Sequence, residues 1–235
     1  MNLLILEKRE ISSGYFILKG RKAEHLLGIK NIGKDSKIHA GLLNESRGTF
    51  HIHRIEDSQI FGLYTIDFIP THFFQNTELY ISYQRPQTMK KILFLVGMFG
   101  ITKLVVFRAE KSEKSYESSS LWKDERWREE LILGMEQGKN IYFPEIFHCT
   151  KKSEVELHLG TGSFWILHPG GKRIGQSLEG GFKIMIGPEG GFSESELNRW
   201  QLKGAQKIGL SEIPYRTEYA LAGIMSQIEL LRSLV

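Results

Sequence analysis

Ile184-Met-Ile-Gly-Pro-Glu-Gly-Gly-Phe-Ser-Glu-Ser-Glu196 reads as a buried strand, a glycine-rich turn and the start of a helix. Ile184 to Ile186 is a short apolar run of the kind found in strands covered on both faces. Gly187, Gly190 and Gly191 permit backbone shapes and close approaches that a Cβ would block. Pro188 fixes one φ and removes an N–H. Ser193 and Glu196 form an S-x-x-E capping box that opens the next helix. A strand that ends in a stiff, side-chain-poor loop offers backbone N–H and C=O groups to a ligand at the edge of an α/β sheet. The stretch therefore predicts an α/β fold with a small-molecule pocket.

The bulk composition is compatible with that reading. The chain has 235 residues, 41% of them hydrophobic and 25% charged, which suits a globular protein with a sizeable core. Thirty-one Lys and Arg against 27 Asp and Glu leave a net charge of +4, mild enough to permit a polyanionic partner without demanding one. Cys149 is the single cysteine, so no intrachain disulfide can form and a reducing compartment is expected. No apolar run approaches the roughly 20 residues of a membrane span. The first residues lack a basic leader. The expectation is a soluble, cytoplasmic protein with no membrane partner.

Two rhythms divide the chain. Up to about residue 68, short apolar runs at 15–18, 37–43, 49–55 and 60–68 alternate with turn residues, which predicts a small sheet or barrel. A helix-like piece at 22–27 interrupts it, and 69–72 reads as a linker. The expected domains are 1–70 and 71–235. From Leu79 onward strands at 79–83, 104–107, 164–167, 184–186 and 208–210 alternate with helices at 87–99, 120–137, 194–202 and 217–234, and 111–120 reads as a mobile loop. Such alternation implies a parallel sheet with helices on both faces.

Three short segments fall at strand ends of the second half: Leu167-His168-Pro169-Gly-Gly171, Gly187-Pro188-Glu189-Gly190-Gly191, and Leu210-Ser211-Glu-Ile-Pro-Tyr215-Arg216-Thr217-Glu218. Carboxyl ends of parallel strands share one edge, so these loops can converge on one ligand. No G-x-x-x-x-G-K-[S/T] loop is present, and the dinucleotide fingerprint is absent. His51 and His53 share one strand face, but with no Cys and no third ligand they read as a solvent face and no metal is expected.

The string I-G-P-E-G-G-F-S-x-x-E, followed by a helix, a strand and R-T-E-x-A, resembles the RsmE family. These are methyltransferases of the knotted SPOUT class that act on N3 of a uridine in 16S ribosomal RNA. Leu167-His-Pro169, Glu136-Gln137, Pro144-Glu-Ile146 and, loosely, Phe107 to Lys111 extend the likeness upstream. The family's R-I-L-R-T-E-T-A reads Ile213-Pro-Tyr-Arg-Thr-Glu-Tyr-Ala220 here, and its K-x-x-E-L-G reads Leu95-Val-Gly-Met-Phe-Gly100. The resemblance implies a small PUA-like, RNA-binding β-barrel ahead of a SPOUT-type sheet with a C-terminal trefoil knot. It also implies a homodimer, the small ribosomal subunit as partner, and S-adenosylmethionine held by Leu167, His168, Pro169, Gly187, Pro188, Glu189, Gly190, Gly191, Leu210, Ser211, Tyr215, Arg216 and Thr217. Within it Arg216 is expected to stabilise charge developing on the uracil or to grip a phosphate. Glu218 is expected to act as base or to orient Arg216, with helix capping as its plain alternative. Arg21, Lys22, Lys30, Arg47 and Arg54 are the expected RNA contacts. Two further readings stay open: another specificity, such as ribose 2′-O methylation, and an RNA-binding homologue without catalysis.

Overall fold

The structure, a computed structural model, describes residues 2–71, 76–123, 126–174 and 182–232. The expected ends of the linker at His72 and of the last helix at Leu234 lie outside them. The chain divides into two compact units, one of residues 1–73 and 135–143, the other of residues 74–134 and 144–235.

The first unit contains β1 (Leu4–Leu6), β2 (Ile11–Ser12), β3 (Tyr15–Leu18), α1 (Gly20–Leu27), β4 (Lys37–Leu42), β5 (Ser46–Glu56) and β6 (Gln59–Phe68). The strands form one barrel-like sheet in the order β1-β4-β5-β6-β3-β2. β1 runs parallel to β4, and the other pairs are antiparallel. Asp57 and Ser58, both at positive φ, make the tight β5–β6 turn whose twist matches the strands. Leu6, Leu18, Ile38, Phe50, Ile52 and Ile60 fill the core, with Ala23 and Leu26 of α1 over it. Residues 135–143, far downstream in sequence, complete the unit. The Leu3 N–H donates to the Glu136 carbonyl (3.0 Å) and the Asn44 N–H to that of Ile141 (2.8 Å). Asn44 Oδ1 accepts from the Phe143 N–H (2.7 Å), and the Tyr142 hydroxyl donates to the Pro70 carbonyl (2.6 Å).

The second unit contains β7 (Thr77–Ser82), α2 (Pro86–Phe99), β8 (Lys103–Phe107), α3 (Lys114–Glu117), α4 (Ser120–Lys123), α5 (Arg126–Gly138, which runs on into the first unit's segment), β9 (Glu145–Cys149), α6 (Lys152–Leu159), β10 (Phe164–Lys172), β11 (Phe182–Ile186), α7 (Glu194–Leu202), β12 (Ala205–Ile208) and α8 (Thr217–Arg232). All six strands are parallel, in the order β12-β10-β11-β7-β8-β9. Tyr80, Val105, Phe107, Phe164, Ile166 and Met185 pack on one face against Val155 and Leu159 of α6 and Leu197 and Trp200 of α7. The alternate residues, Leu79, Ile81, Leu104, Val106, Ile184 and Ile186, point to the opposite face and are also buried. α2 and α8 pack together, burying Ile92, Leu93, Val96, Leu221, Ile224, Met225 and Ile228.

Several expectations are corrected. Residues 114–117 form a short helix inside the stretch expected to be a loop, and residues 120–123 and 126–138 are helical where a helix was expected. β1, β9 and α6 add elements that the apolar pattern did not single out. Gly209 and Leu210 lie past the end of β12. β10 does not stop at Leu167 but resumes at Lys172, because residues 168–171 bulge out of the ladder. Leu167 and Lys172 both pair with Ile208.

Candidate functional site

Two of the expected loops follow β11 and β12, and the third is the bulge inside β10; the three strands are neighbours in the sheet. Parallel strands bring their carboxyl ends to one edge, so Leu167 to Pro169, Gly187 to Gly191 and Leu210 to Thr217 meet there. Two of these loops cross backbone to backbone. A Cβ on Gly171 would lie 2.5 Å from the Ile208 carbonyl carbon, and one on Gly209 would lie 2.5 Å from the Gly171 oxygen. The Gly209 N–H donates to the Lys172 carbonyl (3.0 Å), and the Arg173 guanidinium donates to the Gly209 carbonyl (3.3 Å). His168 is half-exposed, and its Nδ1 lies 2.5 Å from the Pro169 carbonyl.

The loop after β11 is held from several directions. The Gly191 N–H donates to the Pro188 carbonyl (2.8 Å), and Gly191 sits at φ +68°, a left-handed shape that favours glycine. The capping box forms as its sequence predicts: Ser193 Oγ accepts from the Glu196 N–H (3.1 Å), and Glu196 accepts from the Ser193 N–H (3.1 Å). Glu196 is buried, and its other oxygen accepts from the Glu110 N–H (2.9 Å), which ties the loop to the segment after β8. Lys111 of that segment donates to the Gly190 and Phe192 carbonyls (3.4 and 3.3 Å). The Glu110 carboxylate, gripped by Lys152 (2.7 Å) and by the hydroxyls of Ser193 and Ser195, is held down to about pKa 2.

Gln84, which sequence reasoning missed, joins two of the loops. It is 2% exposed. Its amide donates to the Gly187 carbonyl (2.9 Å) and to Ser82 Oγ (3.0 Å), and its oxygen accepts from the Thr217 hydroxyl (3.2 Å). It thereby pins the glycine loop and the first residue of α8 to the end of β7. Its only sequence signal is a polar residue between a strand and Pro86. Beside it, Arg85 pairs with Glu189 (3.2 Å) and donates to the Tyr116 hydroxyl (3.3 Å). Tyr83, buried next in line, packs against Trp122 and His148, and burial pushes its hydroxyl up to about pKa 12.

Arg216 is exposed, and no hydrogen bond or ion pair holds its guanidinium among the described residues. Tyr215 and Leu210 lie near Gly223 of α8, and Ser211 Oγ accepts from the Ile213 N–H (3.1 Å). Glu218 is buried and pairs with Lys91 of α2 (3.1 Å). Burial pushes its carboxyl upward, but its own backbone N–H, Lys91 and Arg216 outweigh that and leave it below the usual range. Glu218 is therefore an ionised, paired group at the positive end of a helix.

The five expected RNA contacts differ in their surroundings. Arg21 donates to both oxygens of Glu136 (3.2 and 3.3 Å), and Lys22 is largely buried against Glu10 (2.7 Å). Arg47 lies over the Phe68 ring (5.5 Å) and Arg54 over Phe61 (4.3 Å), while Lys30 is exposed. Among the described residues, no cluster of His, Cys, Asp and Glu could hold a metal ion.

Comparison with known proteins agrees with this geometry. Residues 73–229, well over half of the chain, match the RNA methyltransferase domain family. The chain is 27% identical to the ribosomal RNA small subunit methyltransferase E 1 of Borreliella burgdorferi over 94% of both proteins. It is 24% identical to the ribosomal RNA small subunit methyltransferase E of Treponema pallidum, over 94% of this chain and 87% of that one. Its fold is shared with the ribosomal RNA small subunit methyltransferase E of Neisseria gonorrhoeae, a structure bound to S-adenosyl methionine (TM-score 0.76, 18% identity, 99% and 98% of the two chains).

Proposed function

We propose, from the premise that this chain belongs to the RNA methyltransferase domain family, that it methylates N3 of a uridine in the 16S RNA of the small ribosomal subunit, using S-adenosylmethionine. The observation that carries the reading is the convergence of the three loops at the carboxyl edge of β10, β11 and β12. The relatives' names supply the substrate class.

The residues present fit such a donor. Gly187, Gly190 and Gly191 keep the loop after β11 free of side chains, and the Gly171–Gly209 crossing brings two of the loops into van der Waals contact. Leu167 to Pro169, Gly187 to Gly191, Leu210, Ser211, Tyr215, the main chain of Arg216 and Thr217 would hold it. When bound, the donor supplies a methyl group on a positively charged sulfur, open to in-line displacement. The chain's contribution is placement, and orientation alone can supply roughly 7–11 kcal/mol of a barrier. Arg216, exposed at the last loop, stabilises the negative charge that spreads over the uracil oxygens as N3 gives up its proton to solvent water. Glu218, ionised and paired with Lys91, positions the first turn of α8 and hence Arg216.

The second unit is the methyltransferase unit, with its carboxyl-terminal loops tied in a trefoil knot, and the first unit grips RNA. Lys30, Arg47 and Arg54 are its outward cations, since Arg21 and Lys22 are paired. The enzyme works as a homodimer in the cytoplasm, where its ribosomal substrate resides. A groove of Phe94, Leu95, Tyr219 and Ala222 on α2 and α8 offers an apolar face for a second copy beside Glu218. No helix among the described residues is long and apolar enough to cross a membrane.

The test is methylation of small subunits that lack the modification, with labelled donor, followed by mass spectrometry of the digested nucleosides. N3-methyluridine is the expected product. A ribose-methylated nucleoside would establish a different specificity, and no incorporation would remove the enzymatic reading.

A further inference from the structure

We infer that the outward face of the first unit's sheet carries a stacking platform for an unpaired base of the RNA, built from Tyr15, His53, Arg54 and Phe61. The identity of the ligand as RNA rests on the methyltransferase reading above.

The platform is made by an irregularity in β5. Alternation along this strand buries Phe50 and Ile52, and its continuation would turn residue 54 toward the core. Instead the ladder slips: Ile52 pairs with Gly62 and Arg54 with the next residue, Phe61, leaving His53 as the extra residue of a bulge. Both His53 and Arg54 are consequently exposed. The slip keeps a guanidinium out of an apolar core and re-aims it along the outer face. There it lies 4.3 Å from the Phe61 ring centroid and 5.9 Å from that of Tyr15. Tyr15 stacks on His53 at 5.3 Å with the planes 26° apart. Tyr15 and Phe61 are half-buried, anchored between core neighbours Phe16 and Ile60, so the platform is stiff on its inner side. Glu56 approaches Arg54 at 3.5 Å, an exposed pair that leaves the guanidinium plane on the rings.

Three flat rings and a delocalised cation form a surface matched to a nucleobase. Bases stack on aromatic and guanidinium planes, and every base has such a face. In a duplex those faces are covered by the neighbouring pairs, so the surface selects unpaired nucleotides. Its energy comes from ring contact more than from charge, which separates it from a phosphate-binding patch.

The test uses the full-length protein and two labelled probes, a short oligouridylate and a blunt RNA duplex of equal length, with fluorescence anisotropy across a range of salt. The wild-type protein is expected to favour the single strand. Tyr15→Leu/Phe61→Leu is expected to lose roughly five-fold to a hundred-fold of that affinity, the equivalent of one stacked base. Its salt slope should stay unchanged, because no charge is removed. Tyr15→Phe/Phe61→Tyr should retain binding. If the leucine pair unfolds, His53→Ala, at an exposed position, supplies the same readout. Single-strand affinity within about two-fold of wild type in a folded variant, or a loss confined to the salt slope, overturns the platform. Wild-type protein that binds oligouridylate through these rings but methylates no subunit would remove the proposed function and leave the platform standing.

Discussion

Replacing Gln84 with leucine tests whether one buried amide organises the cofactor edge. The substitution keeps the bulk and removes the polar groups. The Gly187 carbonyl loses the amide donor it holds at 2.9 Å, and the Thr217 hydroxyl loses its acceptor at 3.2 Å. Gln84 and Thr217 are both buried, at 2% and 9% exposure, so water does not easily replace what is lost. Each orphaned group costs about 1–3 kcal/mol, and the added apolar contact returns part of it. A net loss of about 2–5 kcal/mol follows, and at about 2–4 °C per kcal/mol for a chain of this size the unfolding midpoint should fall by roughly 4–20 °C. The Gly187 loop and the start of α8 are then no longer tied together. S-adenosylmethionine affinity should fall by about ten-fold or more, or about 1.4 kcal/mol. Calorimetric unfolding and titration calorimetry read the two quantities. Thr217→Val removes the same bond from the other side, so the double variant should cost little more than the worse single one. A folded Gln84→Leu protein with an unshifted midpoint and unchanged cofactor affinity would refute the reasoning, as would full additivity with Thr217→Val.

Gly171→Ala should weaken cofactor binding and cost about 1–3 kcal/mol, because its Cβ would lie 2.5 Å from the Ile208 carbonyl carbon; chemical denaturation checks it, and a silent substitution would contradict the close crossing. Arg216→Ala should lower the rate of methyl transfer by about 10²–10³ while the cofactor dissociation constant stays nearly constant, and retention of full activity would end the assigned role. Glu110 has a folded pKa near 2 against an ordinary value of 4.5, so its contribution is complete above the ordinary value and is lost as pH falls toward 2. The denaturant midpoint of Glu110→Gln should therefore sit below that of wild type by a constant amount at neutral pH, and the two curves should converge through that acid window.

What was legible in the sequence was mostly local. The strand, turn and capped helix from Ile184 to Leu202 form as read, because Ser193 and Glu196 satisfy each other within one turn and need no distant partner. Gly100 stops α2 in the left-handed conformation its position foretells. The failures are tertiary. Pro169 and the Gly-Gly pair after it signal the end of a strand, yet β10 resumes at Lys172 because Ile208 and Gly209 lie where Gly171 can approach them. β9, half-exposed at the sheet edge, lacks the apolar alternation that would have marked it. No pattern in the sequence foretells the slipped register between Ile52 and Arg54. Gln84 is silent in sequence because its meaning depends on where Gly187 and Thr217 arrive, more than a hundred residues later.

The return of residues 135–143 to the first unit has a consequence for synthesis on the ribosome. When residue 73 leaves the exit tunnel, Leu3, Arg21, Asn44 and Pro70 still lack the partners supplied by Glu136, Ile141, Tyr142 and Phe143. At about 5–20 residues per second, those partners emerge roughly 4–14 s later. In that interval the nascent amino-terminal sheet is open along the places the later segment will cover, a natural target for a chaperone. A transcript broken before codon 143 cannot yield a finished first unit.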